Sequence, residues 1–372
     1  MIYLDSAATT FQKPPSVAQA MQTALRAMAS PGRGGYALAR AADETVFRCR
    51  ELAAGLFGVP SPEQVIFTSN ATHGLNIAIR SLVPEGGRVL LSGYEHNAVT
   101  RPLHTLGAKL RVAASPPFDR AAALCAFADR ISPELDAVIC THVSNVFGFV
   151  LPIEEIAALC RAEGVPLIVD ASQSAGVLPL DMEALGAAFI AMPGHKGLYG
   201  PQGTGLLLCA HEAKPLLEGG TGSASLEQTM PDFLPDRLEA GTHNMPGIAG
   251  LEAGLRFVRQ RGGRIARHER VLLARAAAHL RSIDGVTAYA ARDAAAQIGV
   301  LSFCVDGQEP EETADALARR GVAVRGGLHC APCAHHTAGT LSNGTVRMSV
   351  SAFNTPAEID VFARVLRAVA RR

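Results

Sequence analysis

Pro166-Leu-Ile-Val-Asp170 and Ala187-Ala-Phe-Ile-Ala-Met192 are short apolar runs, and the second leads into Pro193-Gly-His-Lys196-Gly-Leu-Tyr-Gly-Pro-Gln-Gly-Thr-Gly205. Neither alternates between polar and apolar residues, which marks strands covered on both faces rather than strands with one wet side. Val65–Thr68, Val89–Ser92, Asp136–Val143 and Gly205–Ala210 read the same way. Helical patterns lie between them. Asp43 can cap a helix carrying Val46, Phe47, Ala53 and Leu56 that Gly58 ends. Leu75, Ile79 and Leu82 form a stripe after Asn70, and Pro152 opens a helix with Ile153, Ile156 and Leu159. Strands alternating with helices predict an α/β fold, a mainly parallel sheet flanked by helices.

From about residue 245 the pattern changes. One long helical stretch runs from Met245 to Leu280, then strands at Ile298–Val305, Ala323–Arg325 and Thr345–Val350. A final helix opens with the capping box Thr355-Pro-Ala-Glu358. The expected organisation is a large α/β domain over 15–245 and a smaller C-terminal α+β domain over 246–372. Residues 1–14 are expected to pack against the smaller one.

The chain has 372 residues, 34 basic and 34 acidic, and is 48% hydrophobic. A core of good size follows, and no net charge draws the chain to nucleic acid or an anionic membrane. No apolar run reaches the roughly 20 residues of a membrane span. Met1–Thr10 carries Asp5 and lacks a basic-then-apolar leader pattern. Most of the eight cysteines sit singly in apolar segments, as buried thiols do in a reducing cytoplasm.

Ligands of open α/β sheets sit beyond the carboxyl ends of the strands. Asp170 ends one such strand. It can cap a loop, ligate a metal or pair with a protonated ring nitrogen. Lys196 follows the next strand in a Gly-rich turn, where an ammonium has no solubilising purpose. A desolvated lysine forms imines readily. Together the two match the needs of pyridoxal 5′-phosphate: a lysine for the Schiff base, and a carboxylate that keeps the pyridine nitrogen protonated. Thr72, with free N–H groups where Ser69-Asn-Ala-Thr72-His-Gly74 opens a helix, suits the phosphate, although such residues are also ordinary caps. His96, in Glu95-His96-Asn97, lies on the same rim and could stack on the ring.

In order, these segments resemble the cysteine desulfurases, class V aminotransferase-like members of the fold-type I pyridoxal-phosphate enzymes, and most nearly their SUF-type second group. The resemblance runs from Tyr3-Leu-Asp-Ser-Ala-Ala-Thr9 to Phe353-Asn-Thr355. Its most specific parts are Glu95-His96, His142-Val-Ser-Asn145, Val169-Asp170-Ala-Ser-Gln173, Gly194-His-Lys196, Glu239-Ala-Gly-Thr242 and His329-Cys330-Ala-Pro332. It implies that Lys196 binds the cofactor and moves protons, that Asp170 pairs with the ring nitrogen and that Gln173 bonds the phenolic oxygen. It implies that His96 stacks and assists proton transfer, and that Thr72 and His195 hold the phosphate. Thr242 would reach the phosphate of a neighbouring subunit in a homodimer. Asn145, Arg347 and Arg325 would hold the substrate, with Arg347 forking onto its carboxylate. Cys330 would take the sulfur of L-cysteine as a persulfide, release alanine and pass the sulfur to an acceptor protein or small thiol.

Three positions depart from the family pattern. Pro193 stands for a Ser or Thr, His73 for a common acid, and Asn97 for a frequent second His. Cys330-x-x-Cys333-x-His335-His336 lacks the second ligand pair of a structural zinc site, so no metal is expected. Cys333 could resolve the persulfide instead. The rival readings are a selenocysteine lyase, another class V reaction (aminotransfer, epimerisation, β-elimination) and a noncatalytic sulfur-assembly scaffold. The complete Asp170–Gln173–His195–Lys196 set argues against the scaffold.

Overall fold

The computed structural model describes residues 1–32 and 34–371. Its strands are β1 (Ile2–Tyr3), β2 (Val65–Thr68), β3 (Arg88–Ser92), β4 (Lys109–Ala113), β5 (Ala137–Thr141), β6 (Leu167–Asp170), β7 (Phe189–Pro193), β8 (Gly205–Cys209), β9 (Val286–Tyr289), β10 (Val300–Val305), β11 (Val322–Ala323) and β12 (Val346–Ser349). The helices are α1 (Pro15–Ala27), α2 (Ala37–Phe57), α3 (Ala71–Leu82), α4 (Asn97–Thr105), α5 (Arg120–Ala128), α6 (Ile153–Glu163), α7 (Met182–Leu185), α8 (Met245–Arg261), α9 (Arg264–Arg281), α10 (Pro310–Ala318), α11 (Pro332–Ala338) and α12 (Pro356–Ala370).

Seven strands form the main sheet in the order β2-β8-β7-β6-β5-β3-β4. β7, β6, β5, β3 and β4 run parallel, while β8 is antiparallel to both of its neighbours. The unbroken apolar runs have a direct cause. Val138, Cys140, Val169 and Ile190 point into a core shared with α2, α5, α6 and α8. Their chain neighbours Ala137, Ile139, Ile168 and Phe189 point into a second core shared with α3 and α4. Both faces are dry, so period-2 alternation disappears. The register pairs Thr141 with Asp170 and Asp170 with Ala191. The carboxyl ends of β5, β6 and β7 are therefore level, and Asp170 and the turn carrying Lys196 leave the sheet on one edge.

β9, β10 and β12 form a separate antiparallel sheet, packed with α9 and α12. β1 pairs in parallel with β11, and Leu4 joins the core of this second unit. The 245/246 boundary expected from sequence falls at the start of α8, whose Ile248, Leu251 and Leu255 pack into the core of the large sheet. The capping box of α12 is present in full.

Two helical expectations are corrected. α2 starts at Ala37, not after Asp43, and Asp43 lies inside it with its carboxylate accepting the N–H of Gly32. The helical stretch from Met245 is two helices, because Gly262 (φ 49°, ψ −141°) breaks it after Arg261.

Candidate active site

Fourteen residues at the carboxyl edge enclose a cavity of about 100 Å³, among them Thr72, His96, Asn145, Asp170, Gln173, His195 and Lys196. The ends of the parallel strands β3, β5, β6 and β7, and of β2, or the loops after them, supply these groups, as expected for a ligand site in an open α/β sheet. A larger cavity of about 530 Å³ lies next to it. It shares Asn70 and Thr72 with the first and is lined by Thr242 and His243, but Lys196 does not border it. The smaller cavity, not the larger, gathers Lys196, Asp170, His96 and His195.

Lys196 is partly buried, and burial lowers its pKa to about 8. The positive charges of Arg347 and Arg325 push the same way, while Asp170 and Asp5 oppose them. An amine in that range is available both as a nucleophile and as a proton carrier at neutral pH. Asp170 is buried, and its Oδ1 accepts the Ser172 N–H at 2.9 Å; no described hydrogen bond uses its second oxygen. His96 caps α4, its Nδ1 accepting the Ala98 N–H at 3.0 Å, which puts any ring proton of the neutral form on Nε2. Burial holds its pKa below the usual value. Gln173 donates to the Ala7 carbonyl at 3.1 Å.

The turn bearing Lys196 is held by the N-terminal segment, which sequence reading missed. The His195 carbonyl accepts from the Thr10 N–H (3.0 Å), the Thr10 hydroxyl (2.9 Å) and the Lys13 ammonium (2.9 Å). His195 Nδ1 lies 3.0 Å from the Thr9 hydroxyl, and burial pushes the His195 pKa down to about 4. The only sequence signal for this clamp was the Ala-Ala-Thr-Thr run of the N-terminus.

At the start of α3, Asn70 caps the His73 N–H at 2.9 Å. The Ala71 and Thr72 N–H groups and the Thr72 hydroxyl have no described partner; Ala71 lines the smaller cavity and Thr72 lines both. Thr242 is exposed in the larger cavity and does not reach the Lys196 pocket of its own chain. The Glu239 of its motif is structural: Arg50 donates to its two oxygens at 2.9 and 2.6 Å.

Cys330 stands just before α11, whose Ala334 packs with Ala331 into the core of the large sheet. The cysteine is exposed, and both His329 (φ 50°) and Cys330 (φ 55°) adopt the left-handed conformation, which costs non-glycine residues about 1 kcal/mol or more each. Two bonds across the fold hold the turn in place. Asn97 N–H donates to the Cys330 carbonyl and the Asn145 amide donates to the His329 carbonyl, both at 2.8 Å. Cys330 thus stands beside the start of α4, next to His96. Cys333 is partly buried, and burial raises its thiol to about 11. Arg347 is buried, donates to the Asn145 carbonyl at 3.0 Å and to Asp5 at 2.9 Å, and leaves its Nε–H without a partner. Arg325 is more exposed and also pairs with Asp5 at 3.2 Å.

The donor set fits pyridoxal phosphate. An amine of lowered pKa suits the aldehyde, a buried carboxylate with one free oxygen suits the ring nitrogen, and unpartnered N–H groups at a helix start suit the phosphate. The aminotransferase class-V family model matches residues 2–362. A probable cysteine desulfurase of Methanothermobacter thermautotrophicus is 33% identical over 99% of this chain and 94% of its own length. One from Mycolicibacterium paratuberculosis is 34% identical over all of this chain, which spans 55% of that longer protein. The apo structure of a cysteine desulfurase from Thermococcus onnurineus NA1 superimposes with a TM-score of 0.91 at 32% identity, covering 100% of this chain and 94% of that one. The chain belongs to the class-V aminotransferases, a family of pyridoxal-phosphate enzymes of fold type I.

Proposed function

We propose that the protein is a cysteine desulfurase that converts L-cysteine to L-alanine and carries the sulfur on Cys330. The observation behind this reading is the placing of an exposed cysteine, on a doubly left-handed turn, against the helix start that carries His96. Plain aminotransfer needs no thiol there.

Lys196 would bond the cofactor, Asp170 and Gln173 would hold its ring, His96 would cover the ring face, and Thr72 and His195 would hold its phosphate. When bound, the cofactor withdraws electrons from the substrate α-carbon, which acidifies the Cα–H and takes up charge as the C–S bond breaks. Arg347 and Asn145 hold the substrate carboxylate and fix its orientation, with Arg325 at the rim. The Lys196 amine, of pKa about 8, takes the α-proton and later returns it. Cys330 attacks the substrate sulfur as a thiolate. A new S–S bond forms on Cys330, the substrate's C–S bond breaks, and its carbon is protonated on the way to alanine. The resulting persulfide passes its outer sulfur to an acceptor protein or small thiol.

We further infer a homodimer in the cytoplasm. Thr242 lies outside its own Lys196 pocket, and Phe11, Tyr36, Phe47 and Phe233 are exposed apolar groups that a second copy would cover. The eight unbridged cysteines and the thiol chemistry support a reducing compartment. Among the described residues no helix is long and apolar enough to cross a membrane.

The test is product analysis. Holoenzyme with L-cysteine should release alanine in proportion to the sulfur transferred to a thiol acceptor. Amino transfer from L-cysteine or alanine to a 2-oxo acid, without sulfur release, would overturn the reading.

A further inference from the structure

We infer that Asp5 sets the charge of the substrate that this site accepts, by occupying one of the two arginine charges in the substrate compartment. This rests on the reading of Arg347 as the carboxylate fork.

Asp5 Oδ1 accepts from Arg347 Nη2 at 2.9 Å. Asp5 Oδ2 accepts from Arg325 Nε at 3.2 Å, so one carboxylate bridges two guanidinium groups. The Arg347 side chain is only 3% exposed and that of Asp5 13%, so water screens their pair poorly. The backbone of Asp5 is held in place. It bridges Ser349 on the strand that carries Arg347, and Tyr3 donates to the Asp5 carbonyl at 3.2 Å.

Two cations and one anion leave a single positive charge. The Nε–H of Arg347 is buried and unpartnered, and Asp5 is the one acid that pairs with Arg347 among the described residues. One substrate carboxylate satisfies that donor and neutralises the compartment. A second carboxylate would find both arginines already paired and Asp5 close by, so it would be buried without an arginine partner. The arrangement thus selects amino acids with one carboxylate and rejects the dicarboxylic acids that many transaminating sites bind. Discrimination comes from a repulsive group as much as from an attractive one.

The experiment measures inhibition of alanine release by propionate and by succinate in the holoenzyme, with thermal shifts of the same mixtures as a readout independent of turnover. In the unaltered protein succinate should bind no better than propionate. Asp5→Asn should improve succinate binding by about tenfold relative to propionate, lower the KM for L-cysteine and leave kcat nearly unchanged. Asp5→Glu should restore the discrimination. An unchanged succinate-to-propionate ratio in a folded Asp5→Asn protein overturns the proposal. If Asp5→Asn does not fold, Arg325→Gln decides: it removes a cation and should raise the KM for L-cysteine, and an unchanged KM overturns the proposal. Arg347→Gln separates the two levels. If it leaves the KM for L-cysteine unchanged, the fork reading fails and this inference with it. If it raises that KM while Asp5→Asn leaves the ratio unchanged, only the inference falls.

Discussion

The N–H of Asn97 donates to the carbonyl of Cys330 at 2.8 Å, joining the first residue of α4 to a turn more than two hundred residues away in the chain. A backbone group makes this bond, so it does not depend on which side chain stands at 97. Proline is tolerated at a first helical position, where its missing N–H breaks no helical bond. The preceding His96 already has extended backbone (φ −79°, ψ 157°) that suits it. Asn97→Pro should therefore keep the fold and the cofactor's visible absorption and slow alanine formation by about tenfold, the worth of one such bond. Absorption spectra and turnover of the same sample check it.

Cys330→Ser should separate the two halves of the reaction. α-Proton exchange from L-cysteine into deuterated solvent should continue, because Lys196 and Asp170 are untouched. Sulfur transfer should fall by about a thousandfold or more. Proton exchange by NMR and alanine by chromatography give the two rates.

The lowered pKa of Lys196 makes a pH prediction. The amine must be neutral to take a proton, so kcat should rise with pH and level off above about 8. Lys196→Arg should abolish turnover and the lysine-linked absorption band at every pH. A rate that is flat between pH 6 and 9 would show that another group is the base.

Stability should also depend on pH, through buried groups on opposite sides of neutrality. Burial raises Glu95 and Glu269 to about 8, so the folded state holds more protons than the unfolded state between the ordinary carboxyl value of 4.5 and about 8. Stability from these groups is full below 4.5 and is lost as pH rises to about 8. Burial lowers His142 to about 3, and His195 and His335 to about 4. Their contribution is present above 6.5 and is lost as pH falls through that window. Tm should peak near pH 6.5, and Glu269→Gln should remove about 2 kcal/mol of the loss between pH 6.5 and 8. Denaturant titrations at the two pH values measure it.

Gly254 of α8 brings that helix against the turn after Lys196. A Cβ there would lie 2.3 Å from the Leu198 carbonyl oxygen and 2.9 Å from the Gly200 nitrogen. Both are backbone atoms and cannot move aside alone. Gly254→Ala should cost about 3 kcal/mol and loosen the Lys196 turn. A lower denaturation midpoint with weaker cofactor retention is the expected result.

The main sheet was legible because its strands are buried on both faces and announce themselves as apolar runs, and Asp170 and Lys196 followed from where those runs end. β4 was not legible: Lys109, Leu110 and Arg111 lie at an exposed sheet edge, where no apolar pattern is required. The break after Arg261 was hidden because Gly262 sits inside an otherwise helical pattern. Asp5 was missed as a site residue because its partners Arg325 and Arg347 lie over three hundred positions away, and only the pairing of β1 with β11 brings them together. Cys330 could be named from its motif, but its exposure and its bond to Asn97 are properties of the folded chain.

The most direct measurement of the central claim is the intact mass of the holoenzyme after brief exposure to L-cysteine without an acceptor, with peptide mapping of the change. One added sulfur on the peptide carrying Cys330, removed by a reducing thiol and missing from Cys330→Ser, is the predicted result. Alanine release with no added sulfur on Cys330, or with the sulfur on Cys333 in the Cys330→Ser protein, would contradict it.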